Sequence, residues 1–343
     1  MSSAHASETT KPTPQPKVSR YGLSWGEHLR NAAFDVFMRT VARSSRPILV
    51  GPFRSELGFE ILYWLPFLHW VQERYHLDPA RFVVVSRGGA GAWYPAGSRT
   101  LDLYDLLSLE ECRIATHIEY GETGLLKQTR VSTFDRRIRL AVIDTIGAKP
   151  YWLHPAWMYA TLAPWWTDRA GLAYVAAHTR MKPLPTIAMP ASWQVPERYL
   201  AVRFYARATF PMTATTIDGV QQLVAKLATQ LPIVVLNPRA HVDDHVDFRL
   251  GGDTVWQMPP VKPSENLALQ SALLKRSAGF VGTYGGFAQL ALRLGVPSLS
   301  LYDTWQGTAF AHKALSDVIA LKTGVGFQVM QLKNLGYWRG LLT

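Results

Sequence analysis

Two carboxylates four residues apart follow an apolar run and are the first candidates for proton transfer. The run Pro47-Ile-Leu-Val-Gly-Pro-Phe53 predicts a strand, and Arg54-Ser-Glu-Leu-Gly-Phe-Glu60 follows it as a turn that opens a helix. Glu60 and Glu56 are therefore catalytic candidates, because a carboxylate held there can accept a proton from a hydroxyl group. Arg54, at the start of the same turn, is the third catalytic candidate. Pairing with the helix dipole is an equal alternative for Glu60 and the favoured interpretation for Glu56.

A glycine-rich turn near the other end of the chain lies where a second helix begins. An apolar run at 278–282 leads into Gly282-Thr-Tyr-Gly-Gly286, and Gly295 and Pro297 end the helical pattern that follows. Backbone N–H groups and the helix dipole favour an anion at such a turn, and glycines let it approach closely. The candidates for holding a diphosphate are Thr283, Tyr284, Gly285, Gly286 and Gln289.

Arginine side chains follow the strand predicted at 199–205. Arg203, Tyr205 and Arg207 alternate there, and a guanidinium group can bind a diphosphate through two parallel hydrogen bonds. All three share one side only while the strand continues, so Arg207 falls in a loop if the strand ends early. These residues are assigned to a phosphorylated donor, with a pair of surface arginines as the alternative.

The next predicted strand, 233–237, ends at Asn237 and is followed by a polar loop. Asn237 and Arg239 are assigned to the base or ribose of a nucleotide. His241 and His245 have the spacing of metal ligands on a helix, but the adjacent proline and the polarity of the segment favour a loop. No metal site is predicted there.

Arg87, Trp93, Tyr94 and His154 are the candidates for binding a saccharide. The loop Gly88-Gly-Ala-Gly-Ala92 lacks the glycine spacing of a dinucleotide-binding turn. Aromatic rings after such a loop suit stacking against the apolar face of a sugar. Core packing is an equal alternative for Trp93 and Tyr94, and a structural role is the favoured interpretation of His154.

Strands and helices alternate along two stretches, separated by a proline-rich segment at 181–198. Further strands are predicted at 81–86, 254–258 and 299–302, and helices at 60–76, 100–109, 216–230 and 264–277, with a kink at Pro66. This order predicts an α/β protein with two Rossmann-like domains. The predicted units are a disordered tail (1–20), an N-terminal Rossmann-like domain (21–190), a C-terminal Rossmann-like domain (191–325) and a segment packing back on the first domain (326–343).

Composition narrows the class of protein. Of 343 residues, 48% are hydrophobic and 18% charged, which is typical of a packed globular chain. The net charge of +11 favours a phosphorylated ligand or an anionic membrane surface, and the lack of a basic run disfavours nucleic acid. Cys112 is the sole cysteine, so no intramolecular disulfide forms. Without a run of about 18 apolar residues, we expect a cytoplasmic protein, with peripheral contact to the inner membrane.

Two of these runs resemble the lipopolysaccharide heptosyltransferase family, glycosyltransferase family 9. Residues 55–68 resemble its first loop and helix, and 282–297 resemble its donor-phosphate turn and helix. The chain departs from the family in having Glu60 for the catalytic aspartate and one extra residue between Gly58 and Pro66. It also has Thr-Tyr-Gly-Gly where the family has an Asp-Ser/Thr-Gly run.

The resemblance implies a GT-B fold, in which two Rossmann-like domains face each other across a cleft. It also implies that the first domain (21–190) binds the acceptor and the second (191–325) the nucleotide sugar. It implies transfer of a sugar from a nucleotide-sugar donor to a glycan or lipid-linked saccharide, without a metal or cofactor, in envelope polysaccharide synthesis. Glu60 takes the place of the base, and inversion follows only from the single-base resemblance. The alternatives are a non-catalytic nucleotide- or glycan-binding protein of the same fold and a sugar-nucleotide-modifying enzyme such as an epimerase.

Overall fold

Two parallel sheets organise the chain. The computed structural model describes residues 23–123, 127–236, 246–252, 255–305 and 309–333. The strands of the first half are β1 (Ile48–Val50), β2 (Phe82–Ser86), β3 (Arg99–Asp102) and β4 (Tyr151–Leu153). Those of the second half are β5 (Leu200–Arg203), β6 (Tyr205–Ala206), β7 (Ile233–Val235), β8 (Val246–Asp247), β9 (Val255–Gln257), β10 (Gly279–Thr283), β11 (Ser298–Tyr302) and β12 (Phe327–Gln331).

Helices connect the strands in both halves. Those of the first half are α1 (Trp25–Ala42), α2 (Leu57–Phe59), α3 (Leu65–Arg74), α4 (Leu103–Leu106), α5 (Leu109–Thr123), α6 (Thr133–Ile146), α7 (Ala156–Thr161), α8 (Ala163–Trp166) and α9 (Leu172–Ala177). Those of the second half are α10 (Ala214–Ala228), α11 (Asn266–Arg276), α12 (Gly286–Arg293) and α13 (Ala309–Thr323). Capping boxes fix the starts of α1, α6 and α10.

The strand order is β3-β2-β1-β4 in the first sheet and β12-β11-β10-β5-β7-β9 in the second, and both sheets are parallel. The central strands β1 and β10 are buried along their whole length, as their continuous apolar runs predict. The structure therefore has the predicted fold class of two Rossmann-like α/β domains, each built on a parallel sheet. In such sheets ligands bind beyond the carboxyl ends of the strands.

A π-helical turn, Glu60–Trp64, joins α2 to α3. Pro66, just after this turn, has no backbone N–H to donate to a hydrogen bond. Its ring also crowds the preceding turn of an α-helix. The wider π-helical turn carries one residue more than an α-helical turn. It lies where this chain has one extra residue, between Gly58 and Pro66, compared with the heptosyltransferase pattern. The predicted kink at Pro66 is thus a change of helix type.

The two halves meet at glycines. A Cβ atom on Gly286 would lie 2.8 Å from Leu57 Cβ, and one on Gly58 would collide with the side-chain amide of Gln289. A second contact joins the loop after β2 to α11, where the Ala268 N–H donates to the Gly88 carbonyl at 2.8 Å. The turns at the two ends of the chain, singled out separately in the sequence, are therefore in direct contact.

Three sequence expectations need correction or restriction. The helix predicted at 100–109 is wrong at its start, because residues 99–102 form β3 and pair with β2, whereas 103–106 and 109 are helical. Residues 327–331 pair with β11 in the second sheet, so the expectation that 326–343 packs on the first domain is wrong for these residues. The proline-rich segment 181–198 lacks helix and strand, whereas 1–20 and 334–343 lie outside the described residues.

Candidate functional site

The turn after β1 presents its two carboxylates to different environments. Glu56 is exposed and lies immediately before α2, whereas Glu60 is fully buried in the π-helical turn. Leu57 follows Glu56 directly and packs on Gly286. Of the two carboxylates, Glu56 is thus the one that a substrate can reach, and it stands at the contact between the halves.

Glu60 is held by two side chains from the end of β2 and the loop after it. The Tyr94 hydroxyl donates to Glu60 Oε1 at 2.8 Å, and Arg87 Nη1 lies 3.3 Å from Oε2. Burial raises the pKa of the Glu60 carboxyl, against the opposing effects of Arg87 and Tyr94. Arg87 also donates to the carbonyls of Phe53 and Ser55, at 3.1 and 2.6 Å. This arrangement fixes the loop that carries Glu56.

Arg54 and His154 belong to a buried network centred on Asp135. Arg54 contacts Asp135 Oδ1 at 2.9 Å and Glu119 Oε2 at 2.7 Å, and His154 Nε2 lies 3.0 Å from Asp135 Oδ2. Burial alone would raise the pKa of Asp135, but His154 and then Arg54 lower it well below its usual range. The Ala156 N–H donates to His154 Nδ1 at 3.0 Å, so both ring nitrogens of this histidine contact protein groups.

The second turn presents the amino end of α12, which has no side-chain cap. A Cβ atom on Gly285 would lie 2.9 Å from Arg207 Nη1 and would collide with the Tyr205 hydroxyl. Thr283 fixes this geometry, because its hydroxyl donates to the Tyr205 carbonyl and accepts from the Tyr205 N–H, both at 3.0 Å. Arg207, Tyr205, Thr283 and Gly285 are therefore brought together at the start of α12.

Arg203 has a different position from the one expected. Its Nε lies 3.1 Å from Asp247 Oδ1, and its Nη1 donates to Gln270 Oε1 at 3.2 Å. The guanidinium group lies over the Phe287 ring, 4.5 Å from its centroid. Arg203 is buried with these partners and supports α12 from below. Arg207 is the half-exposed arginine beside the turn.

Lys127 and His312 also reach this region, although the sequence singled out neither. Lys127 Nζ lies 4.8 Å from the centroid of the Phe59 ring, and that ring packs edge-on against the His312 ring at 4.5 Å. Burial, followed by the charges of Lys127 and Arg207, lowers the pKa of His312 to about 3. Lys127 from the first half and Arg207 from the second therefore both lie near His312. Burial lowers the pKa of Lys127, and the charge of Glu56 opposes this effect.

The remaining candidates lie elsewhere. Trp93 and Tyr94 are buried, so neither ring offers a face for stacking against a sugar. Tyr284 stacks on Trp305 with ring centroids 5.4 Å apart and supports the turn from inside. Gln289 fills the space beside Gly58. Asn237, Arg239 and the histidines at 241 and 245 lie outside the described residues.

Acid is expected to destabilise the fold partly through His312. An unfolded histidine binds a proton below about pH 6.5, whereas folded His312 stays neutral down to about 3, so unfolding takes up a proton between these values. His312→Gln, which keeps an acceptor for the Tyr63 hydroxyl, should reduce the loss of unfolding free energy on acidification by about 1.4 kcal/mol per pH unit. Urea unfolding at several pH values measures this slope, and the exposed His28→Gln is the control. An unchanged slope in His312→Gln would refute the assignment.

No family model matches the sequence, and no curated protein matches it. Among solved structures the chain is distantly similar to E. coli heptosyltransferase WaaC with ADP (12% identity, TM-score 0.46, 87% of this chain and 100% of that chain). It is also similar to the glycosyl transferase family 9 protein from Veillonella parvula DSM 2008 (12% identity, TM-score 0.45, coverage 87% and 89%). The dodecameric glycosyltransferase TibC from enterotoxigenic E. coli H10407 is 12% identical with a TM-score of 0.42, and the chain covers 58% of its length. At these identities and TM-scores the likenesses carry no argument about activity.

Proposed function

We propose that the protein is a glycosyltransferase that moves a sugar from a nucleotide-sugar donor to a saccharide or lipid-linked saccharide acceptor. One observation carries the proposal: Leu57, next to the exposed Glu56, packs on Gly286 in the first turn of α12. In our proposal Glu56 is the proton acceptor and the amino end of α12 is the anion site, and their proximity supports transfer between two bound substrates.

The donor diphosphate is assigned to the amino end of α12. Backbone N–H groups and the positive end of the helix dipole favour an anion there, and Arg207 lies beside Gly285. Lys127 adds a second cation from the first half. Negative charge that develops on the leaving nucleoside diphosphate is stabilised by these fixed groups, so the mechanism as proposed uses no metal or cofactor.

Glu56 is proposed as the base that deprotonates the acceptor hydroxyl. Glu60, the residue that the family resemblance put in this role, is buried and bound to Arg87 and Tyr94. In our proposal Glu60 positions the loop and Glu56 takes the proton. The deprotonated hydroxyl attacks the anomeric carbon on the face opposite the diphosphate, so the new C–O bond forms as the C–O bond to the diphosphate breaks, and the configuration inverts.

The acceptor is proposed to be a glycan or a lipid-linked saccharide of an envelope polysaccharide. The net charge of +11 suits an acceptor at an anionic surface. No helix in the described part of the chain is long and apolar enough to cross a bilayer. We place the enzyme in the cytoplasm, in peripheral contact with the inner membrane.

Nucleotide binding tests the donor assignment. A panel of UDP, GDP, CMP, ADP and their sugars should contain a ligand that raises Tm, because a ligand that binds the folded state stabilises it. Gly285→Ala should weaken that ligand at least about tenfold, since the new methyl group displaces the Arg207 guanidinium and costs a charge-assisted hydrogen bond.

Gly171→Ala is the matched control, because a Cβ atom there meets open space. The proposal predicts unchanged nucleotide affinity in this variant. If no nucleotide or nucleotide sugar shifts Tm, or if Gly285→Ala binds the ligand as the native protein does, the donor site is wrongly placed.

A further inference from the structure

Helix α1 is apolar on two opposite faces. Its inner face buries Phe34, Met38 and Val41 in the core of the first half. Its outer face carries Trp25, Leu29 and Val36, whose exposed fractions are 85%, 65% and 65%. A helix that covers a core needs only one apolar face, so the outer stripe is not explained by folding.

The outer residues form a continuous row. The spacing of Trp25, Leu29, Ala32 and Val36 is i, i+4, i+7 and i+11, which places them in line along one face of the helix. A row of this kind, with one aromatic ring at its end, is typical of helices that lie in the interface of a bilayer. Contiguous exposed apolar surface commonly marks a contact with a partner or a membrane.

A basic depression continues this row at the carboxyl end of α1. It encloses about 410 Å³ and is lined by Asp35, Arg39, Ala42, Arg43, Arg74 and Tyr75. Asp35 is its one carboxylate and contacts Arg39 at 2.6 Å and Arg74 at 3.4 Å. Three guanidinium groups against one carboxylate leave an excess of two positive charges, which suits phosphate groups.

The sequence that precedes α1 is also basic. Residues 1–22 contain Lys11, Lys17 and Arg20 but a single acidic residue, Glu8. The chain thus carries cationic residues in the depression and in the sequence before the helix. Apolar side chains flanked by cations complement an anionic bilayer, which offers acyl chains beneath a layer of phosphate groups.

We propose that the outer face of α1 docks on an anionic membrane surface. In the bound state Trp25, Leu29 and Val36 enter the headgroup region, and the depression formed with Arg39, Arg43 and Arg74 receives lipid phosphates. This inference rests on the membrane contact in the proposed function and names the surface that makes it, whereas the sugar transfer itself is not involved. It concerns a surface helix that packs on α7 and shares no residue with the cleft.

Sedimentation of the full-length protein with lipid vesicles tests the proposal. We expect the protein to bind vesicles of phosphatidylcholine that contain phosphatidylglycerol and to bind weakly to phosphatidylcholine alone. Binding should fall as salt is added. Leu29→Asp should lower the partition coefficient at least about tenfold by removing apolar contact. Arg43→Glu should lower it about tenfold by reversing one charge.

Two variants of the second half serve as matched controls. Leu321→Asp changes a leucine on α13 that is even more exposed (86%) than Leu29. Arg276→Glu reverses an exposed arginine at the end of α11, as Arg43 is at the end of α1. Both controls should bind vesicles as the native protein does.

Three results would overturn the proposal. One is equal binding to both kinds of vesicle. Another is an equal loss of binding in the controls and the α1 variants. The third is a dimer, seen by analytical ultracentrifugation without lipid, that Leu29→Asp dissociates, because the row would then cover a second copy of the chain.

Discussion

Glu56→Gln is expected to lower kcat by about 10²- to 10⁴-fold, the usual contribution of a general base. The substitution keeps the size of the side chain and removes its ability to take a proton, so donor affinity should stay within about twofold. Nuclear magnetic resonance of the donor and acceptor anomeric signals measures the turnover. Without an acceptor the donor sugar should stay unchanged, which separates a transferase from an epimerase.

Glu60→Gln gives the contrasting result. It leaves Arg87 without its carboxylate partner, so stability should fall, while the folded fraction should retain turnover within about tenfold of the native protein, because Glu60 does not contact the acceptor. Turnover normalised to the folded fraction therefore distinguishes the two carboxylates. If Glu60→Gln lost turnover and Glu56→Gln kept it, Glu60 and not Glu56 would be the base.

Arg54→Met is expected to lower the free energy of unfolding by about 3–5 kcal/mol. The methionine fills similar volume but leaves Asp135 and Glu119 without the guanidinium group that both contact, and a buried charge without its partner is costly. The midpoint of urea unfolding, at unchanged m-value, measures the loss.

Arg46→Met is the matched control at the other end of the same strand. Arg46 is exposed, lies over the Tyr151 ring and donates to the Lys149 carbonyl. We expect a loss below about 1 kcal/mol, as for other surface sites. If both variants lost the same free energy of unfolding, the buried network of Arg54 would contribute no more to stability than a surface contact does.

The sequence predicted the strand–turn–helix–strand of the second half within one or two residues. Residues 279–302 follow the predicted order because every signal there is local: an apolar run, glycines, helical spacing and a Gly-Val-Pro stop. The same holds for β2 and α10. By contrast, β3 was taken for the start of a helix, because its edge position in the sheet depends on pairing with β2.

The environment of each carboxylate could not be read from its neighbours in the chain. Glu60 is buried because Arg87 and Tyr94, 27 and 34 positions further along, converge on it. Lys127 and His312 approach each other from opposite halves and stand in segments without a recognisable motif. The helix that carries His312 mixes apolar with charged and polar residues, so no local signal in the sequence indicates that this histidine is buried.

The π-helical turn lets α2 and α3 have different rotations about their shared helix axis. Each added residue rotates the helix by about 100°, so the turn at 60–64 lets α2 face Gly286 while α3 stays buried in the same core as Val50 and Val84 of the first sheet. Removing one residue from it would restore a regular α-helix and swing Glu56 and Leu57 around the axis, away from α12. The angular alignment of the two substrate-binding turns is thus set by a single residue of chain length.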